Sequence, residues 1–149
     1  LWQSLEDLAR IGATPGGGVT RLALSDEDRE ARRLLRRWME EAGLEVRVDD
    51  FGTMTGRRAG TEDGPAVLLA SHIVRALNDA GIATRRPIEV VNWTNEEGVR
   101  FEPAMLASGA ATGRFTKEYA YDRTDRDGLR FGDELERIGF RGEEANRPG

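Results

Sequence analysis

The sequence contains no cysteine, a single histidine, and no apolar run near the roughly twenty residues that a membrane-spanning helix needs. The lack of cysteine excludes disulfides, thiolate metal sites and a cysteine nucleophile, and it agrees with a reducing cytoplasm. A basic excess is also missing, because the net charge is −5, which argues against a nucleic-acid partner. No signal peptide is visible. We therefore expect a cytoplasmic protein that binds neither membranes nor nucleic acids.

The length of 149 residues suits one domain with a core of its own. The chain begins without a methionine and ends abruptly in "EANRPG". We expect both ends to be cuts in something longer.

Helical periodicity is clearest in residues 26–42, where apolar side chains recur at three- and four-residue steps. Ser25 and Asp28 form a capping-box start, and Gly43 supplies the stop. The arginines of "ARRLLRRWMEE" are flanked by acidic residues, so we interpret them as a solvated helix face. Shorter helical stripes are predicted at the N-terminus, after residue 72, and in "MLASGAATG" and "GDELERIGF".

Strand patterns alternate with these helices. "LEVRVDD" alternates apolar and charged residues, which predicts a strand with one buried face, and "FGTMTGRRAG" is predicted to pair with it as an exposed strand. "AVLLAS" is apolar throughout and predicts a strand covered on both faces in the middle of a parallel sheet. A helical stripe and a second apolar strand, "PIEVVNW", follow it. This order predicts a right-handed βαβ unit in an α/β fold, with a mostly parallel sheet and helices on both faces.

The candidate chemistry lies at the carboxyl ends of these two apolar strands, where ligands bind in open parallel sheets. His72 ends the first strand, and Glu96 and Glu97 come just beyond the second, in "VVNWTNEEGVRF". If the strands are neighbours, about 5 Å apart, imidazole and carboxylate can reach one ion. Adjacent residues of extended backbone point in opposite directions, so one glutamate can bind the metal while the other moves protons. Gly98 lets the chain turn behind them.

The same residues have ordinary structural interpretations. An acidic pair after a strand is often a solvent-facing turn, and a lone histidine at a strand end is often structural. From spacing alone the two interpretations stand about even. The glycine-rich "GATPGGGVTRL" lacks the spacing of a phosphate loop, so nucleotide binding is not expected.

Four stretches together resemble the N-terminal part of the hydantoinase/carbamoylase family of metal-dependent amidases, within the zinc exopeptidase-like superfamily. They are "IGATPGGGVTRLALSDEDREAR", "RRWMEEAGLEVRVD", "VLLASH" and "RRPIEVVNWTNEEGVRFEPAMLASG". The resemblance implies two divalent metal ions (zinc, manganese or cobalt) and hydrolysis of a carbamoyl or ureido C–N bond, as in N-carbamoyl-L-amino acids or allantoate. It implies that Glu96 is the general base and that His72 and Glu97 are metal ligands. The loop Gly16–Arg21 matches a family segment near the substrate.

The sequence also departs from the family pattern. Ser71-His72 runs straight into Ile73-Val74-Arg75, where the family has Ser-His-x-Asp-Thr, and no Phe-Asp-Gly occurs to supply the metal-bridging aspartate. We expect roughly twenty residues to be absent between His72 and Ile73. Residues 1–149 would be the N-terminal portion of one catalytic domain, without the lid domain through which family members form homodimers and without two further histidine ligands. We therefore predict that this polypeptide alone binds metal weakly and turns over no substrate.

Two rival functions remain open. One is a dipeptidase or aminoacylase of the same superfamily, which the sequence of the motif "NWTNEEGVRF" disfavours. The other is a non-catalytic binding or assembly module that kept the fold and lost the metal loop.

Overall fold

A computed structural model describes residues 2–68 and 71–146, with only the backbone described for residues 71 and 72. The described part contains six helices and four strands in a mixed order. The helices are α1 (Trp2–Arg10), α2 (Asp26–Glu41), α3 (Ser71–Asp79), α4 (Leu106–Ala111), α5 (Lys117–Tyr121) and α6 (Phe131–Arg137); the strands are β1 (Glu45–Val48), β2 (Met54–Arg58), β3 (Val67–Leu68) and β4 (Ile88–Asn92). None of these described helices has the length and apolarity to cross a membrane.

The four strands form one sheet in the order β1-β2-β4-β3. The α/β class is confirmed, but the expectation of a mostly parallel sheet is wrong for the described strands. Only β3 and β4 are parallel, while β2 pairs antiparallel with both β1 and β4. The short connection from β1 to β2, residues 49–53, explains the difference, because a link of that length joins only antiparallel neighbours.

The two faces of this sheet differ in chemistry. Met39 of α2 and Val74 of α3 share one buried cluster with Ile88 and Val90 of β4, so both helices pack against the same face. The opposite face carries charged side chains, and Arg57 donates to Glu89 there at 2.7 Å. Within the described residues, helices on both faces are therefore not observed. The sequence predicted them from two apolar runs, of which β4 buries Ile88 and Val90 on one face while the described part of β3 is exposed.

β3 also differs from its prediction. Val67 and Leu68 are 48% and 62% exposed, so this strand is not covered on both faces in its described part. The β3–α3–β4 unit itself is confirmed, with Val67 opposite Ile88 in parallel register. β2, predicted as an exposed strand, lies between β1 and β4 and buries Met54.

Helix α2 begins where the sequence predicts, since the Ser25 hydroxyl accepts the Asp28 N–H at 3.2 Å. The solvated-face interpretation is wrong for one of its arginines. Arg32 is 4% exposed and donates to the Asp28 carboxylate and to the Gly52 carbonyl, both at 2.8 Å. These bonds tie α2 to the turn between β1 and β2.

The main core lies beyond the carboxyl end of β4. Phe101, Phe131 and Leu106 are fully buried in a cluster that also contains Met54 and Phe51. Phe101 packs edge-on against Phe131 with ring centroids 5.5 Å apart, a favoured arrangement of aromatic pairs. This packing fixes the segment that follows the acidic pair.

Candidate active site

Glu96 and Glu97 lie in a turn, residues 94–98, four residues after β4 ends. Thr94 and Asn95 are buried, whereas both glutamates are exposed. Gly98 has φ +70°, and a Cβ there would lie 2.5 Å from the backbone nitrogen of Ala104. Only glycine fits this close approach, so the predicted sharp turn behind the acidic pair is confirmed.

The two glutamate side chains have no hydrogen-bond or ion-pair partner among the described residues. The backbone around them is fixed instead, because the Met105 N–H donates to the Glu96 carbonyl at 2.7 Å. A pair of unpartnered carboxylates on a fixed backbone is available to a ligand.

The acidic turn lines a cleft of about 470 Å³ together with the end of the glycine-rich segment. Val19, Thr20 and Arg21 also line this cleft. Arg21 donates to the carbonyls of Leu8 and Ile11 at 2.6 and 3.1 Å, which anchors that segment to the end of α1. The carboxyl end of β4 contributes its side chains to the same cleft through residues 92 and 93.

Arg100 anchors the far end of the acidic turn. It donates to Asp125 at 2.9 Å, to Glu134 at 2.8 Å and to the Ala23 carbonyl at 3.0 Å. The hydrogen bond from Arg137, together with Arg100, lowers the pKa of Glu134 below its usual value. Burial raises the pKa of Asp125, but hydrogen bonds from the Leu129 N–H and Arg100 outweigh it and leave that pKa lowered. These carboxylates are engaged in holding the turn.

The predicted ligand His72 is the second residue of α3. Its side chain lies outside the described residues, so the convergence of imidazole and carboxylates stays a prediction. The strand geometry behind that prediction is confirmed, because β3 and β4 are parallel neighbours and their carboxyl ends lie at the same edge of the sheet.

A metal site would need more than the described side chains. No group of three His, Cys or acidic residues suited to a metal ion occurs within the described part of the chain. The exposed, unpartnered Glu97 carboxylate suits one oxygen ligand of a divalent ion, and His72 is the predicted nitrogen ligand. With the described residues alone, the donor set is incomplete.

Known proteins similar to this chain agree on one family. An N-carbamoyl-L-amino-acid amidohydrolase of Rhizobium meliloti is 48% identical over 97% of this chain and 40% of its own length. The crystal structure of a hydantoinase/carbamoylase family amidase from Burkholderia ambifaria superposes with a TM-score of 0.94 at 43% identity, covering 99% of this chain and 42% of that one. The chain belongs to the hydantoinase/carbamoylase family. An allantoate amidohydrolase of Bacillus subtilis is 31% identical over 91% of the chain and 38% of its own length. No protein-family model matches the chain.

The chain spans about two fifths of the length of these relatives. It is also shorter than they are inside the matched region. The Rhizobium meliloti alignment runs over 166 positions, while 97% of 149 residues is about 145, so about 21 positions face no residue of this chain. The Geobacillus stearothermophilus amidohydrolase, aligned over 162 positions with 94% of the chain, leaves about 22. These totals agree in size with the expected absence of roughly twenty residues, and a single missing segment after His72 stays a prediction.

Sequence reasoning missed three residues that shape this site. Arg32 shares a helical face with Leu35 and Met39, three and seven residues on, and that spacing could have placed it inward. Asn95 precedes the acidic pair in a turn, a place where asparagine often adopts a left-handed backbone. Arg100 gave no such signal, because its partners are 25 and 34 residues away.

Proposed function

We propose that this chain contributes the general base and one metal ligand to an amidohydrolase that cleaves a carbamoyl or ureido C–N bond. The substrate class is N-carbamoyl-L-amino acids or allantoate, which are the substrates named for its relatives from Rhizobium meliloti and Bacillus subtilis. The supporting observation is the pair Glu96–Glu97, exposed and unpartnered among the described residues, on a fixed turn beside a cleft.

The proposal gives the two carboxylates different roles. Glu96 takes the proton from the attacking water and later hands it to the leaving nitrogen, the work of a general base that becomes a general acid. Glu97, with His72, would hold a divalent ion. When bound, that ion supplies charge stabilisation and makes water more acidic. The hydrogen bond from the Met105 N–H to the Glu96 carbonyl fixes the backbone that carries this side chain.

The remaining features belong to the proposal as well. They are two divalent ions (zinc, manganese or cobalt), homodimer formation through a domain outside this chain, and a cytoplasmic location. The complete metal site and the dimer would require parts of the relatives that this chain does not match, so the 149 residues alone are expected to be inactive.

A chimera tests the proposal directly. Residues 1–149 would replace the matching part of the Rhizobium meliloti amidohydrolase, once as they stand and once with the relative's extra segment inserted after His72. We expect hydrolysis of N-carbamoyl-L-amino acids or allantoate, with added Mn²⁺ or Co²⁺, only from the chimera that carries the insert. Hydrolysis of dipeptides or N-acetyl amino acids instead would favour the aminoacylase alternative.

A folded chimera with no activity on any of these substrates would favour a non-catalytic module. Activity from the isolated 149 residues would contradict the expectation that the chain is incomplete.

A further inference from the structure

The placement of Glu96 and Glu97 depends on the residue immediately before them. Asn95 has φ +53°, a left-handed backbone that asparagine tolerates better than most residues. Extended backbone at this position would send the chain along the direction of β4. The left-handed residue bends it back toward the segment 101–106 and leaves the two glutamates at the cleft.

The Asn95 side chain fastens this bend. Its Nδ2 donates to the Phe101 carbonyl at 2.6 Å and reaches the Pro103 carbonyl at 3.4 Å. The residue is 4% exposed, so these bonds lie out of water, where losing one is costly. Its Oδ1 has no partner among the described residues. A carboxylate in this place would bury a charge without a donor and face two carbonyl oxygens.

Two backbone hydrogen bonds connect this Asn95 clamp, the hydrogen bonds from its amide to the Phe101 and Pro103 carbonyls, with the acidic pair. The Leu106 N–H donates to the Asn95 carbonyl at 3.4 Å, and the Met105 N–H donates to the Glu96 carbonyl at 2.7 Å. The glutamate side chains have no described partners of their own, so the backbone clamp is what fixes their position.

We propose that Asn95 is the positioning residue of the Glu96–Glu97 pair. It acts through its amide, which clamps the acidic turn to the Phe101–Pro103 backbone. The clamp itself stands on the geometry alone, and its importance for catalysis rests on the proposed function of Glu96.

Three variants of the 149-residue chain distinguish the effect of the Asn95 side-chain amide from the effect of its left-handed backbone. Asn95→Gly keeps the left-handed conformation and removes the amide, while Asn95→Asp keeps the size and removes the donor. Asn78→Asp is the control, because Asn78 is exposed and also donates to a backbone carbonyl, that of Ala42. Amide hydrogen exchange and ¹⁵N relaxation would be measured at residues 96, 97 and 105.

We expect protection of the Met105 amide to fall about tenfold in both Asn95 variants and order at residues 96 and 97 to drop. Protection in α2 and in the control should be unchanged. Wild-type protection and order in Asn95→Gly would overturn the proposal. In the active chimera the Asn95 variants should lower kcat with little change in KM. If the turn loosens while Glu96→Gln retains full activity, the proposed function fails and the clamp stands.

Discussion

Two of the acidic pairs that follow strands in this chain differ in what their carboxylates do: Asp49–Asp50, directly after β1, and Glu96–Glu97, four residues after β4. The Asp49 carboxylate accepts the N–H groups of Phe51 and Thr53 at 2.9 and 2.8 Å. Asp50 accepts from Lys117 at 2.5 Å and from the Asn146 N–H at 2.8 Å. The glutamates, by contrast, have no side-chain partner in the described part of the chain.

The contrast separates two reasons for placing like charges side by side. In the first pair each carboxylate accepts hydrogen bonds that hold neighbouring segments together, so the adjacency serves the fold. In the second pair the fold is held by the neighbours Asn95, Gly98 and Arg100, and the carboxylates themselves are free of structural work. An acidic pair of the second kind is what a binding or catalytic site needs.

The largest effect expected from this contrast is on activity. Glu96→Gln in the active chimera should lower kcat by about 10²–10⁴, the usual contribution of a general base, with an unchanged melting temperature. Glu102→Gln is the matched control, an exposed glutamate six residues on, and it should leave kcat unchanged. Equal activity of the two variants would place the base elsewhere.

The next effect is on stability. Asp50→Ala removes the acceptor for the Asn146 N–H and the Lys117 ammonium, and it should cost about 1–2 kcal/mol of unfolding free energy. Glu97→Ala should change that free energy by less than about 0.5 kcal/mol, as for most exposed sites. Urea unfolding of the two variants measures the difference. If both variants lost the same free energy of unfolding, the two acidic pairs would not differ in their structural role.

A smaller effect follows from pH. Burial raises the pKa of Asp49 to about 6, although the Thr53 and Phe51 N–H groups oppose the rise. The pKa of Asp49 in the folded protein therefore lies above its unfolded value of 3.8. Its contribution to the stability of the folded protein is full below pH 3.8 and is lost as the pH rises through about 6. Asp49→Asn removes this loss of stability at higher pH and keeps an oxygen acceptor for the Phe51 and Thr53 N–H groups.

Asp49→Asn should therefore be more stable than wild type by about 1 kcal/mol at pH 7.5 and no more stable at pH 3.5. Comparing the two proteins at each pH cancels the opposite dependence of Asp125 and Glu134, whose lowered pKa values favour the folded state at higher pH. A difference that is the same at both pH values would contradict the raised pKa.

The helices and strands of this fold could be predicted from the sequence more readily than the contacts between them. The periodicity of residues 26–42 and the capping pair Ser25 and Asp28 were sufficient to place α2, because helix signals are local. The βαβ unit followed from the order of apolar runs. The mixed pairing of β2 could not be read from those runs, because strand direction depends on connections and partners distant in the chain.

The candidate site divides in the same way. Glu96, Glu97 and Gly98 form a contiguous motif and were identified from the sequence. The Arg100 network joins residues up to 77 positions apart, and no local pattern reports such contacts. The Asn95 bonds span only six and eight residues, but the sequence does not show which carbonyls the amide meets. Arg32 was misassigned because arginine side chains are usually solvated, and only its bonds to Asp28 and Gly52 explain its burial.

The central claim is that His72 and Glu97 share one cation. Titration of the 149-residue chain with Mn²⁺, followed by paramagnetic broadening of side-chain NMR signals, tests it most directly. We predict that the His72 imidazole and the Glu97 carboxyl carbon broaden together, before Asp49, Asp50 and the control Glu102, and that His72→Gln removes this preference at Glu97. Broadening of Glu97 no earlier than Glu102, or an unaffected imidazole, would contradict the account.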